Sequence, residues 1–201
     1  MASVLDFWFE FASTYSYLSA LRIEQMAAEQ GVDVRWRPFL LGPILNAQGW
    51  STSPFNLHEA KGRYMVRDVG RIASERNIAF RLPSPSPQNS LLAARVASAL
   101  TETHRKAAFC RAVFVAEFAN GKQIDDTAVI GSCVEQAGAD IAATMRQAGA
   151  EQAKLALREA TSEAQRRGIF GTPTFVTEDG ELFWGDDRLE MALRWAAAKD
   201  R

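Results

Sequence analysis

Residues 5–18 read Leu5-Asp6-Phe7-Trp8-Phe9-Glu10-Phe11-Ala12-Ser13-Thr14-Tyr15-Ser16-Tyr17-Leu18. Leu5, Phe7, Phe9 and Phe11 alternate with Asp6, Trp8 and Glu10, the period of two expected of a strand with one strongly apolar face. Ser13 and Thr14 then stand where a helix is capped. Ala20, Ile23, Met26 and Ala27 recur at helical spacing opposite Arg22, Gln25 and Glu29, which predicts one helix running until Gly31 stops it. Val32, Val34 and Trp36 alternate with Asp33, Arg35 and Arg37 before Pro38 prevents the segment from continuing as a central strand. The opening is therefore β-α-β, a unit that normally makes parallel strands with a right-handed crossover.

Outward from this unit the pattern changes. From about Asn56 to Arg167 the periodicity is helical. Met65, Val69, Ile72 and Ala73 form one stripe, Leu91, Ala94, Ala97, Ser98 and Thr101 a second, and Phe109, Val113, Ala116 and Ala119 a third. Three prolines within Pro83-Ser84-Pro85-Ser86-Pro87 force an extended loop between the first two. Further helices are expected over Asp126 to Ala137, Asp140 to Gln147 and Ala150 to Arg167, the last ending at Gly168. Strand character returns with Thr174-Phe175-Val176-Thr177 and Leu182-Phe183-Trp184, which flank Glu178-Asp179-Gly180-Glu181 and read as a hairpin of antiparallel neighbours. A closing helix begins near Asp186 or Asp187, with Leu189, Ala192, Leu193 and Ala196 on one face and Asp187 and Glu190 at capping-box spacing. The order β-α-β, helices, β-β-α closes into one four-stranded mixed sheet if the helical middle is an insertion. The boundaries expected are 1–42 with 168–201 for the sheet domain and 43–167 for the insert.

The 201 residues carry 23 Lys and Arg against 24 Asp and Glu, a net charge of -1, so no basic field favours nucleic acid. No run of apolar residues is long enough for a membrane helix and no basic leader opens the chain, which makes a cytoplasmic location the default expectation. Cys110 and Cys133 belong to no C-x-x-C and are expected to be buried. With His58 and His104 as the only histidines, no metal-ligand spacing occurs.

Three motifs in this order carry a resemblance: Phe9-Glu10-Phe11-Ala12-Ser13-Thr14-Tyr15-Ser16-Tyr17-Leu18, Phe170-Gly171-Thr172-Pro173-Thr174-Phe175, and Trp184-Gly185-Asp186-Asp187-Arg188-Leu189, with Asn89-Ser90-Leu91-Leu92-Ala93-Ala94-Arg95 between the first two. Together they resemble the 2-hydroxychromene-2-carboxylate isomerase and kappa-class glutathione transferase family, in the DsbA-like branch of the thioredoxin superfamily. The resemblance spans nearly the whole chain. It implies a thioredoxin-like α/β fold, a four-stranded mixed sheet with a large inserted helical domain, and glutathione as the cofactor.

The resemblance places Ser13 where redox relatives carry a reactive cysteine. A hydroxyl beside the unpaired N–H groups of a helix start favours an anion. A free thiol titrates near roughly 8.5, so one charge-assisted hydrogen bond there stabilises a bound thiolate at neutral pH. Capping alone also accounts for a serine at this position. Thr14 stands where the family usually has proline. Pro173 matches the cis-proline of the fold, and the backbone of Thr172 is then placed to pair with the cysteinyl part of glutathione as an added strand does. Asp186 and Asp187 match the family's γ-glutamyl site, although Asp187 equally suits a helix cap. Asn56, in Pro54-Phe55-Asn56-Leu57, falls where the resemblance places a glutathione or substrate contact. Asn89 falls at a similar substrate-contact position, and a helix N-cap explains it as well.

For such an isomerase, the resemblance implies that glutathione thiolate adds to an activated double bond of a cyclic aromatic hemiketal. Ring opening, rotation about the resulting single bond and elimination follow, with no net redox change. Its partners are then a small-molecule substrate and glutathione, and a homodimer is common among relatives. A kappa-like transferase shares the thiolate site but releases a stable conjugate. A non-enzymatic module would hold peptides along the cis-proline edge. A disulfide oxidoreductase needs a second thiol, which Ser13 does not offer.

Overall fold

The computed structural model describes residues 3–50 and 53–198, and of residues 54 and 56 the backbone only. Strand β1 (Ser3–Phe9) is buried on both faces. Leu5, Phe7 and Phe9 enter the larger core, while Trp8 on the opposite face joins Phe39, Ile44, Ala164, Ile169 and Val176 in a smaller one. Asp6, also buried, takes a two-pronged ion pair from Arg35 at 2.8 and 3.3 Å, which satisfies the one charge on this strand. The strand is thus the middle of a sheet, and its alternation separates two cores rather than core from solvent.

The expected single helix is two: α1 (Thr14–Ala20) and α2 (Ile23–Glu29). The break falls at Arg22, which leaves helical geometry (φ -129°, ψ -17°) and gives its guanidinium to Asp186, 164 positions away. The parallel strand β2 (Val32–Pro38) lies at the sheet edge, where its terminal proline costs no internal ladder bond.

Between β2 and the next strand lie α3 (Leu41–Ala47), α4 (Pro54–Leu57), α5 (Glu59–Glu75), α6 (Leu91–Ala99), α7 (Thr103–Phe118), α8 (Thr127–Gln136), α9 (Ile141–Gly149) and α10 (Glu151–Arg166). Asp126 and Asp140 cap α8 and α9, each accepting a backbone N–H, which is why these helices begin where the sequence reading puts them. Strand β3 (Thr174–Thr177) pairs antiparallel with β1 and β4 (Leu182–Trp184), so the sheet order is β2-β1-β3-β4. A 3-10 turn (Asp186–Arg188) leads into α11 (Leu189–Ala198) in place of a one-step capped start.

Sheet and insert share the larger core. Phe9 and Phe11 meet Phe114 at 5.6 and 5.2 Å between ring centres, and Tyr17 meets Phe118 at 5.4 Å, so α7 packs directly behind the turn that follows β1. Each such pair stabilises by about 0.5–1.5 kcal/mol beyond the area it buries. Among the described residues no helix is long and apolar enough to cross a membrane, and no three His, Cys, Asp or Glu side chains gather as metal ligands.

Candidate active site

Antiparallel pairing of β3 with β1 brings Trp8 opposite Thr174, and so sets the residues before β3 beside the turn after β1. In that turn the Ser13 N–H donates to Glu10 O at 3.2 Å. Ser13 is extended (φ -101°, ψ 114°) and caps α1, its Oγ accepting the N–H of Ser16 at 3.2 Å. Its own proton points across the gap to the Thr172 carbonyl, at a long 3.4 Å. The Thr172–Pro173 bond is cis. Beyond that hydroxyl, no group among the described residues pairs with the backbone of Thr172, so an extended ligand has both a donor and an acceptor open to it. A weakly held hydroxyl proton is free to turn to a stronger acceptor, and the bond Oγ already accepts sharpens it as a donor.

Thr14 spends its hydroxyl on the Sδ of Met65, 3.2 Å away, and Tyr15 donates to Asp68 at 2.9 Å. Helix α5 therefore lies along the Ser13 end of α1. The hydroxyl that Thr14 adds in place of proline holds that helix rather than entering the cleft.

Asp186 and Asp187 part company. The Asp186 carboxylate is 3% exposed and fully engaged: Ser19 Oγ (2.8 Å) and Arg22 Nη2 (3.2 Å) donate to Oδ1, and Arg76 Nη1 (2.6 Å) to Oδ2. Asp187 is 72% exposed, its only described partner being Arg188 at 3.4 Å. Gly185 joins this turn to the cis-proline loop, its N–H donating to Pro173 O at 2.9 Å. Its backbone, φ 111° and ψ 150°, lies where only glycine is at ease, and an added Cβ would stand 2.6 Å from Asp187 Oδ1. Gly185→Ala is expected to cost on the order of 1–3 kcal/mol and to displace Asp187. Thermal melting together with glutathione titration checks both effects.

The structure thus brings Ser13, Thr172, Pro173, Asp186 and Asp187 to one end of the sheet. Asn89 is exposed, and its Oδ1 accepts the Leu91 N–H at 3.1 Å, the helix-start role that the sequence also allows it. Asn56 lies in α4, and its side chain is outside the described residues. Both cysteines are buried and free, and burial pushes the Cys133 thiol up to about 11 and that of Cys110 higher still, which leaves them poor nucleophiles.

Ser19, Arg22 and Arg76 were not legible as site residues, because Arg22 sits on the polar side of a helical pattern and Arg76 is 110 positions from its partner. Outside that site, Glu117 is 0% exposed with neither carboxylate oxygen hydrogen-bonded among the described residues. Its burial, and secondarily the nearby Glu10, push its pKa well above the usual carboxylate range. Burial raises Glu10 too, opposed by the Ser90 hydroxyl and by the Leu41 N–H, which donates at 3.0 Å.

Comparison with known proteins bears on the family and the fold. The chain is 26% identical to a 2-hydroxychromene-2-carboxylate isomerase of Sphingobium xenophagum over 192 residues, covering 95% of this chain and 96% of that protein. It is 24% identical to glutathione S-transferase kappa 1 of Rattus norvegicus over 205 residues, covering 94% and 88%. A solved structure of a 2-hydroxychromene-2-carboxylate isomerase superposes with a TM-score of 0.87 at 28% identity, covering 98% of this chain and 95% of that one. The family model for the DSBA-like thioredoxin domain matches residues 4–194, and the chain, which has the fold and the cis-proline turn described above, belongs to that family.

Proposed function

We propose that the protein is a glutathione-dependent isomerase of the 2-hydroxychromene-2-carboxylate type, with Ser13 steadying the thiolate of bound glutathione. The observation that carries this reading is the Ser13 hydroxyl directed at the Thr172 carbonyl beside Pro173, with no thiol on the chain in a position to compete. Bound glutathione supplies a nucleophile that adds to the substrate and leaves again, so that a double bond becomes free to rotate.

The chain's own residues hold and orient it. Thr172 offers its backbone N–H and C=O to the cysteinyl segment. Asp187, exposed in the middle of the 3-10 turn, accepts from the γ-glutamyl ammonium, while the N–H groups of Asp186 and Asp187 are left for the α-carboxylate, that of Arg188 being given to Gly185 O at 3.0 Å. Asp186 serves by fixing that turn rather than by offering its carboxylate. Ser13 turns its proton from Thr172 O to the sulfur, with its Oγ still held by the Ser16 N–H. Asn56 remains a proposed contact through the segment before α5.

The test is product analysis. Purified protein given 2-hydroxychromene-2-carboxylate is expected to form a ring-opened product of unchanged mass only when glutathione is present. A product heavier by one glutathione would instead make it a transferase of the kappa kind, to which the chain is also similar. Turnover without glutathione would refute the proposed nucleophile.

A further inference from the structure

Asp186 is a buried carboxylate with both oxygens engaged. Its two oxygens take three donors from three different elements: Ser19 in α1, Arg22 at the α1–α2 break, and Arg76 at the end of α5. Arg22 Nη2 also donates to the Asp186 backbone carbonyl at 2.9 Å, so the arginine grips both side chain and main chain of the turn. A buried charge of this kind demands its partners, and their removal leaves it uncompensated. What the cluster fixes is the pose of the turn whose next residue is the exposed Asp187.

Helix α5 connects the two ends of the site. Met65 touches Thr14 beside Ser13, and Arg76 reaches Asp186, with three helical turns, roughly 16 Å, between them. The end of α5 is itself locked. The Arg76 N–H returns to Ile72 O, Asn77 takes a left-handed φ of 55°, and the Ile78 N–H donates to Ala73 O at 2.8 Å. The guanidinium therefore leaves a fixed backbone, 29% exposed, rather than a loose loop.

We infer that Arg76, with Arg22, is a positioning residue for the γ-glutamyl end of glutathione, acting through Asp186 to hold the turn that presents Asp187. The inference rests on the glutathione site proposed above. It makes the helical segment between β2 and β3, through one side chain of α5, a determinant of cofactor affinity. Because Arg22 and Ser19 remain on Oδ1 when Arg76 is lost, the fold survives while the turn loosens.

The experiment pairs a protein change with a ligand change. Wild type, Arg76→Met and Arg76→Lys are titrated calorimetrically with glutathione and with cysteinylglycine, which lacks the γ-glutamyl group. Arg76→Met is expected to weaken glutathione roughly tenfold while changing cysteinylglycine less than about threefold, with Arg76→Lys in between. The KM for glutathione should rise in step, with kcat at saturating glutathione nearly unchanged. Equal weakening of both ligands, or of neither, would overturn the inference. Should Arg76→Met fail to fold, Asp186→Asn, which keeps the size but drops the charge, must show the same selective loss. Wild type that binds no glutathione would refute the site itself, a result distinct from wild type and Arg76→Met binding it equally.

Discussion

Ser13→Ala is expected to lower kcat/KM by about ten- to a hundredfold, the worth of one hydrogen bond to a charged group at roughly 1.5–3 kcal/mol. The loss should appear in turnover more than in glutathione KM, because the Thr172 backbone and the Asp186–Arg188 turn, the contacts proposed for the tripeptide, are untouched. Alanine also removes the cap on α1, since Ser13 Oγ accepts the Ser16 N–H, so a fall in stability of about 0.5–2 kcal/mol accompanies it. Circular dichroism and a melting curve separate the two effects. A variant that stays folded at the assay temperature and turns over as wild type does would remove the hydroxyl from the mechanism. In the proposed mechanism the hydroxyl carries more of the anion's stabilisation than a long helix would leave to it. With α1 only seven residues long before the Arg22 break, few peptide dipoles are aligned behind Ser13.

Glu117→Gln is expected to stabilise the protein at pH 8 and to leave it unchanged near pH 4. In the folded chain the carboxyl is 0% exposed, without a hydrogen-bond donor among the described residues, and faces the charge of Glu10. Its folded pKa is raised, while in the unfolded chain it titrates near the ordinary value of 4.5. Below that value both states hold the proton and no penalty exists. As pH rises above it, the unfolded chain releases the proton and the folded chain does not, so stability falls until the folded pKa is passed. Glutamine has the same shape and no proton to lose. At pH 8 the variant is therefore expected to melt above wild type, and the difference is expected to close as pH falls toward 4. Melting curves across this pH range check it, and a variant less stable than wild type at pH 8 would contradict it. The affected carboxyl lies in α7, behind the turn of Ser13, and is no part of the proposed chemistry.

These cases show which features were readable in the sequence. The sheet was legible because β1, β2 and the β3–β4 hairpin each carry a local signal, alternation or an Asp-Gly turn, and because Ser13 and Pro173 sit in recognisable surroundings. The break at Arg22 was not, since the helical stripe of Ala20, Ile23, Met26 and Ala27 continues across it with no local breaker, and the carboxylate that Arg22 meets there is 164 positions away. Likewise Asp186 and Asp187 are chemically identical neighbours in the chain. Only their burial separates a framework residue from one available to a ligand. Glu117 is the sharpest instance. In a helix, a lone glutamate beside Ala116 and Phe118 reads as a solvated position, yet α7 is packed along several faces and leaves it none.

The proposed hydroxyl at the start of α1 steadies a sulfur anion that the chain does not itself possess. Titrating the ultraviolet absorbance of the thiolate of glutathione bound to wild type and to Ser13→Ala reads that effect at the sulfur. In wild type the bound thiol is expected to ionise at least about one unit below its free value of roughly 8.5, and in Ser13→Ala to return most of the way. Bound glutathione that ionises at its free value in wild type, or identically in both proteins, would remove Ser13 from the thiolate's stabilisation.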